Sequence, residues 1–151
     1  MEQGDHALAA YRQALAQEPD NTDALWGSAI IELECQNSEQ ALLLLQRLMK
    51  LRPDYKFGDA SLAYGKALFD SGDFNLAQLH LESHLKQWSH PEAALLMAKL
   101  QTHQQNTPGA CQVLETMITN VQGSPDFHYR KHRQHVVQGK RLLKTLNCHL
   151  N

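Results

Sequence analysis

Small and bulky apolar residues alternate with polar stretches along this chain, and the pattern recurs about every 34 residues. The recurring small residues are Ala7, Ala41, Ala77 and Ala110, spaced 34, 36 and 33 residues apart. Four positions after each alanine stands a bulky residue, one turn further along the same helical face: Tyr11, Leu45, Leu81 and Leu114. Recurrence with this period predicts an array of similar helical units.

A second helix is expected before each of the last three alanines. A small residue lies at the centre of each of these stretches, which lets paired helices approach closely: Ala29, Gly65 and Ala98. Hydroxyl, glycine and proline residues separate the stretches, and we expect N-caps at Ser89 (a capping box), Asp73, Thr107 and Ser124. Each unit therefore reads as two antiparallel helices, and no strand pattern is present.

These features resemble the tetratricopeptide repeat family. The third unit carries the closest match, with Tyr64-Gly65, Leu68, Ala77 and Leu81. The resemblance implies an all-α fold, a right-handed superhelical array of antiparallel helix hairpins (a TPR-like α-solenoid) with a C-terminal capping helix. The first unit lacks its opening helix, so we expect either a fragment of a longer protein or an unusual N-terminal cap.

The repeat boundaries follow from the same spacing. TPR-like repeats are expected over residues 1–123, as a half repeat over about 1–21 and full repeats over 22–55, 56–89 and 90–123. A basic capping helix is expected over 124–146, and a flexible tail over 147–151.

The charge is unevenly distributed. Residues 1–126 hold 8 Lys/Arg against 16 Asp/Glu, a net of −8, whereas residues 127–151 hold 6 Lys/Arg and no acid. Phe127, Val136, Leu143 and Leu146 approximate an apolar stripe in this basic segment, which predicts a helix that covers the last repeat. The stretch FHYRKHR also interleaves aromatic and basic residues, so the alternative is a nucleic-acid-associated protein with the repeats as an oligomerisation platform. The acidic remainder would repel a polyanion, and nucleic acid is therefore disfavoured.

Composition places the chain among soluble globular proteins, with 42% hydrophobic and 20% charged residues. No apolar run is long enough to span a membrane, and no signal peptide is recognisable. Three cysteines, Cys35, Cys111 and Cys148, are an odd and widely spaced set. They argue against a disulfide framework and favour a reducing, cytoplasmic location.

The nine histidines raise the question of a metal site. His80 and His84 are spaced i, i+4, and His128, His132 and His135 are spaced i, i+4, i+7. Neither group has a cysteine pair or a suitably placed acid beside it in the sequence, so we favour surface histidines and expect no metal site. No cofactor is expected. Catalytic motifs such as Gly-x-Ser-x-Gly or a glycine-rich phosphate loop are missing, and a non-enzyme is predicted.

The resemblance implies a partner as well. In this family the first helix of each unit lines a concave groove that receives a peptide, which indicates a non-catalytic scaffold or adaptor for a peptide or protein partner. Trp26 is the strongest anchor candidate, with a core role as its alternative. Homo-oligomerisation is left open, and no membrane partner is expected. Carried onto this chain, the groove residues are Trp26, Ile30, Leu33, Leu62, Lys66, Phe69, Leu95, Lys99 and His103.

Overall fold

Helices account for nearly all of the computed structural model, which describes residues 2–148. Within that range there are eight α-helices, one short 3-10 helix over Tyr55–Gly58, and no strand. The all-α fold class is thereby confirmed. The α-helices are α1 (Glu2–Gln17), α2 (Thr22–Glu34), α3 (Ser38–Leu51), α4 (Asp59–Asp70), α5 (Phe74–Gln87), α6 (Pro91–His103), α7 (Thr107–Gln122) and α8 (Asp126–Thr145).

The chain forms two compact units, residues 1–80 (unit 1) and residues 81–151 (unit 2). The division falls inside α5, whereas the sequence suggested a boundary between repeats and capping helix at residue 123. In unit 1, α1 packs against α2, α2 against α3, and α3 against α4. In unit 2, α6, α7 and α8 pack against one another.

The residues of the repeat lie in the two cores. Ala41 and Leu45 are fully buried in unit 1, and Ala110 and Leu114 are fully buried in unit 2. The small residues at the helix centres are buried as well: Ala29, Gly65 and Ala98. The periodic pattern therefore predicted the buried face in α3, α5 and α7, because residues four apart share one face of a helix, whereas Ala7 and Tyr11 of α1 are only half-buried.

A close approach of α1 and α2 explains one glycine. A Cβ atom at Gly27 would lie 2.2 Å from Cζ of Tyr11, well inside van der Waals contact. Only the absence of a side chain lets the Tyr11 ring rest against this helix.

Of the predicted N-caps, the one at Asp73 is confirmed and the one at Ser89 is wrong. Oδ1 of Asp73 accepts a hydrogen bond from the backbone N–H of Leu76 at 3.3 Å, as expected for an acidic cap of α5. The capping box at Ser89 is wrong: α6 begins at Pro91, its N-cap is His90, and no side chain caps it. The imidazole of His90 instead hydrogen-bonds to His84.

The other two caps are shifted by one residue. Asn106, one position before Thr107, is the N-cap of α7, and its side chain accepts from the N–H of Gly109. The N-cap of α8 is Pro125, and the hydroxyl of Ser124 donates to the carbonyl of Val121. Ser124 therefore helps to end α7 and does not begin α8.

The basic helix α8 covers the apolar face of α7. Val136 and Leu143 are 3% and 1% exposed and belong to the same core cluster as Leu114, Met117 and Ile118. The packing expected of a capping helix is thus observed within unit 2.

Phe127 departs from the expected apolar stripe of this helix, since 76% of its surface is exposed. It precedes Val136 by nine residues, which places it about 180° around the helix, on the outer side.

Cys111 of α7 and Cys148, just after α8, form a disulfide with their Cα atoms 5.9 Å apart. The expectation of no disulfide is therefore wrong for this pair, which is 37 residues apart in sequence. The cytoplasmic expectation loses its basis here, because disulfides form and persist in oxidising compartments. Cys148 is also held within the segment predicted to be a flexible tail, of which residues 149–151 lie outside the described residues.

Candidate functional site

The predicted groove residues of unit 1 are partly open to solvent. On α2 the three apolar ones, Trp26, Ile30 and Leu33, are half-buried. On α4, Leu62 and Phe69 are half-buried and Lys66 is exposed. The helices α2 and α4 contact each other. Both carry apolar side chains whose surface is partly exposed, and a ligand can contact this exposed surface.

Trp26 has both a packed and an open side. It packs against the core cluster of unit 1, and its ring centroid lies 5.9 Å from that of Tyr55 in a tilted arrangement. Tyr55 is held in turn by Asp23, whose Oδ1 accepts a hydrogen bond from the phenol. Burial, and then this bond to Asp23, raise the pKa of Tyr55 to about 12, so the phenol stays protonated and keeps donating.

In unit 2 the predicted groove residues divide by exposure. Lys99 and His103 are exposed on α6. Leu95, in contrast, is only 6% exposed and belongs to the core cluster of unit 2, so its side chain has little area to offer a ligand.

A cleft of ≈ 290 Å³ opens in unit 2 between the end of α5, the start of α6, and α7. Trp88 and His90 line it with their rings stacked 6.2 Å apart, and His84 Nε2 lies 2.9 Å from His90 Nδ1. Leu85 and Met117 are among the apolar residues of its wall. The sequence analysis missed Trp88; the signal was an aromatic residue directly before the Ser-His-Pro start of a helix.

Several large apolar residues outside the predicted groove are also exposed, and sequence reasoning passed over them. Phe57 is 84% exposed in a left-handed backbone conformation, with φ 54°. The others include Leu43 at 62% and Leu79 at 65%. Leu43 and Leu79 lie on α3 and α5, the second helices of their repeats, and therefore outside the predicted groove. Substitutions at these positions serve as controls for substitutions in the groove.

The two histidines of the first pair have different hydrogen-bond partners. His80 Nε2 donates to the carbonyl oxygen of Ser61 at 2.7 Å, and its ring meets Tyr64 edge-on at 4.9 Å. His84 is bonded to His90 instead, and is only 2% exposed. Burial lowers the pKa of His80, and the bond to Ser61 opposes that effect only in part.

The second histidine group has an acidic neighbour that the sequence could not show. Glu92, in the first turn of α6, places Oε1 3.4 Å from His135 Nε2 of α8. One ligand atom from each of Glu92, His132 and His135 lies within 4.8 Å of the others. His132 is 7% exposed, so the expectation of surface histidines is wrong at this position as well as at His84.

Burial of His132 favours the neutral form of this one imidazole. Burial lowers the pKa of His132, an effect that the nearby carboxylate of Glu92 opposes and the imidazoles of His128 and His135 reinforce. The ring of His128 packs 4.5 Å from that of His132.

Among the described residues, no helix combines the length and apolar character that crossing a membrane requires.

Comparison with solved structures shows the fold. The MamA RS-1 ArsTM double mutant superposes with a TM-score of 0.69 at 16% identity, over 91% of this chain and 85% of that one. YrrB, a TPR protein with an unusual peptide-binding site, gives 0.68 at 16% identity, over 98% and 80%. MamA 41-end from Desulfovibrio magneticus RS-1 gives 0.68 at 15% identity, over 95% and 83%.

Comparison of sequences is more specific about the family. No curated protein matches the chain. Two family models, both described as tetratricopeptide repeat, match residues 1–56 and residues 62–125. Together they span every unit in which the small-bulky pattern recurs. The chain therefore belongs to the tetratricopeptide repeat family.

Proposed function

We propose that this protein is a non-catalytic scaffold that binds a peptide segment of a partner protein through the first helices of its repeats. Tetratricopeptide repeats are protein-interaction modules in general, and solenoid repeats of this kind use an extended surface for binding. YrrB, which shares the fold, is described as having a peptide-binding site, and this supports a peptide as the ligand.

The observation that carries the proposal is the half-open tryptophan of unit 1. Trp26 is fixed on one side by Tyr55 and the core, and leaves the rest of its ring available. Tryptophan is among the residues most often found as interface hot spots, and a ring already held in place loses little side-chain entropy on binding. Ile30 and Leu33, four and seven positions later, continue the same helical face.

The chemistry around Trp26 defines the peptide. Leu62 and Phe69 on α4 add half-buried apolar area, and Lys66 between them is an exposed cation. We expect a peptide with two or more large apolar residues and an acidic group that pairs with Lys66. In unit 2, the exposed Lys99 and His103 are proposed as contacts for an acidic part of a partner.

A selection from a phage-displayed library of random peptides tests this proposal directly. Peptides enriched on the full chain are measured by titration calorimetry against Trp26→Ala, which should bind them about 30-fold more weakly, equivalent to about 2 kcal/mol. Leu43→Ala removes a comparably apolar side chain that is 62% exposed on α3, and should leave affinity unchanged. Lys66→Glu should reverse the preference for acidic peptides.

Two results would contradict the peptide proposal. One is equal binding of the selected peptides by Trp26→Ala and the unmodified chain. The other is a loss of thermal stability in Trp26→Ala without any selective loss of peptide binding, which would assign the ring to the core alone. A circular-dichroism melt of each variant separates the two.

The exposed cations of α8 favour a second candidate, binding of a polyanion such as nucleic acid. Six basic side chains of this helix are exposed: Arg130, Lys131, Arg133, Lys140, Arg141 and Lys144. Single-stranded RNA should then bind with steep salt dependence, and replacing Arg130, Lys131 and Arg133 by glutamate should abolish it. Lack of such binding at low salt would exclude the polyanion candidate.

A further inference from the structure

We propose that Glu92, His132 and His135 form a binding site for a divalent transition-metal ion of the Zn²⁺ class, which links α6 to α8 in unit 2. The site is independent of the peptide surface on α2 and α4, and either proposal can fail without the other. It rests on three observations: the spacing of the ligand atoms, a buried nitrogen of His132 that lacks a partner, and the chemistry of the donors.

The spacing of the ligand atoms suits one ion. Two ligands, each about 2.0–2.1 Å from a tetrahedral Zn²⁺, lie about 3.4 Å from each other. The observed distance between Glu92 Oε1 and His135 Nε2 is 3.4 Å. His132 offers a third ligand atom within 4.8 Å of both, and binding of one ion by all three residues requires these atoms to move closer together.

A buried nitrogen of His132 without a partner supports the presence of a ligand at this site. Among the described residues, Nδ1 of His132 and Nδ1 of His135 are buried and have no hydrogen-bond partner. Leaving a buried polar atom unpaired is unfavourable, and such atoms are rare in native structures. His132 is only 7% exposed and lies on the side of α8 that faces the core. An ion bound through Nδ1 of His132 removes this cost at His132, whereas an ion at Nε2 of His135 leaves Nδ1 of that ring unpaired.

The donor set selects the class of ion. Two imidazoles and one carboxylate suit Zn²⁺ and its neighbours in the transition series, whereas Mg²⁺ and Ca²⁺ prefer sites made of oxygen atoms. Three protein ligands leave a fourth position for water. The exposed cations Lys131 and Arg133 lie close by on α8 and oppose a positive ion, so we expect moderate affinity.

A bound ion would strengthen the attachment of α8 to α6. Glu92 is in the first turn of α6, and the two histidines are near the middle of α8. A shared ion would join these helices at a point separate from the Cys111–Cys148 disulfide, which joins α7 to the segment after α8. Unit 2 would then hold its last helix by apolar packing, one covalent bond and one metal bridge.

Thermal unfolding of the full chain with added ZnCl₂ tests the site. The experiment uses a Cys35→Ser background, which removes the one exposed free thiol among the described residues. At a zinc concentration about 100-fold above Kd, the melting temperature should rise by roughly 5–10 °C. Co²⁺ in place of Zn²⁺ should produce the visible absorption of a tetrahedral complex, and equilibrium dialysis should give one ion per chain.

Matched variants identify the ligands. Glu92→Gln and His135→Gln keep the side-chain size at half-buried positions, and each should remove most of the zinc-dependent shift. His132→Asn should do the same, but its buried position makes the two glutamine variants the decisive ones. Glu115→Gln, a half-buried carboxylate of α7, and His6→Gln, an exposed histidine of α1, should keep the full shift.

Three results would overturn the metal site. The first is a melting temperature that does not respond to zinc. The second is a shift that Glu92→Gln and His135→Gln leave intact. The third is a shift reduced equally by His6→Gln, which would mean scattered binding to surface histidines. In each case the contact between Glu92 and His135 is a side-chain contact that holds no ion.

Discussion

The two units differ in the hydrogen-bond partners of their buried polar side chains. In unit 1, Glu32 is 5% exposed and accepts hydrogen bonds from Arg12 and Asn37, while Ser61 is bonded to His80. In unit 2, the imidazoles of His132 and His135 each bury a nitrogen without a partner among the described residues. Side-chain pairs therefore satisfy Glu32 and Ser61 of unit 1, although the buried hydroxyl of Ser28 has no partner among the described residues. In unit 2 His84 is paired with His90, whereas His132 and His135 retain unpaired ring nitrogens.

The units also differ in how their last helices are held. Apolar packing links α3 and α4 in unit 1, whereas unit 2 adds the Cys111–Cys148 bond to the packing of α8. The disulfide ties the segment after α8 to α7 and adds a covalent link to the packing of α8 on α6 and α7.

The largest expected effect comes from removing α8. Deleting residues 124–151 exposes Leu114, Met117 and Ile118 of α7 and removes the burial of Val136 and Leu143. Each large side chain contributes roughly 1.5–3 kcal/mol, so unit 2 should melt much earlier or aggregate. Calorimetry checks this, with deletion of residues 149–151 alone as the control. An unchanged melting curve would show that α8 is not a structural cap.

Breaking the disulfide is expected to have the next largest effect. Cys148→Ser opens a loop closed across 37 residues and should lower the free energy of unfolding by about 3–4 kcal/mol. Denaturant titration measures the loss, and Cys35→Ser should show none, since Cys35 is exposed and unpaired among the described residues. Alkylation of three cysteines in the unreduced, denatured chain, instead of one, would contradict the pairing.

A substitution at Glu32 tests the contribution of its buried, hydrogen-bonded carboxylate to the stability of unit 1. Glu32→Ala leaves Arg12 and Asn37 without their acceptor and should cost about 1–3 kcal/mol of unfolding free energy. Glu34→Ala, two residues on and exposed, should stay within about 0.5 kcal/mol of the unmodified chain. Equal effects of the two changes, measured by denaturant titration, would remove the contrast between the units.

The smallest effect is a pH dependence from His80 in unit 1. Its pKa is lower in the folded chain than the 6.5 of the free side chain, so the unfolded chain binds more protons in this window. Stability should therefore fall as the pH drops from about 7 through 6.5 towards the folded pKa. His80→Gln should flatten this slope, whereas His6→Gln should preserve it. Thermal melts between these pH values decide the matter, and identical slopes for both variants would exclude His80 as the cause.

Much of the fold could be predicted from the sequence, but less of the candidate sites. The helices and buried positions such as Ala41, Leu45 and Ala110 followed from spacing alone. The half-open position of Trp26 did not, because a tryptophan at that spacing fits a core or a binding surface equally well. In the structure its ring packs against Tyr55, 29 residues later, and the residue is half-buried.

The sequence by itself determined the repeat, the helix type and buried positions such as Ala41 and Leu45, because these depend on residues three to four positions apart. Tertiary structure alone decided which distant side chains meet: Cys111 with Cys148, Glu92 with His135, and Trp88 with the wall of the unit 2 cleft. Each pairing depends on the angle and rotation at which two helices pack, and a single helical period contains no information about either.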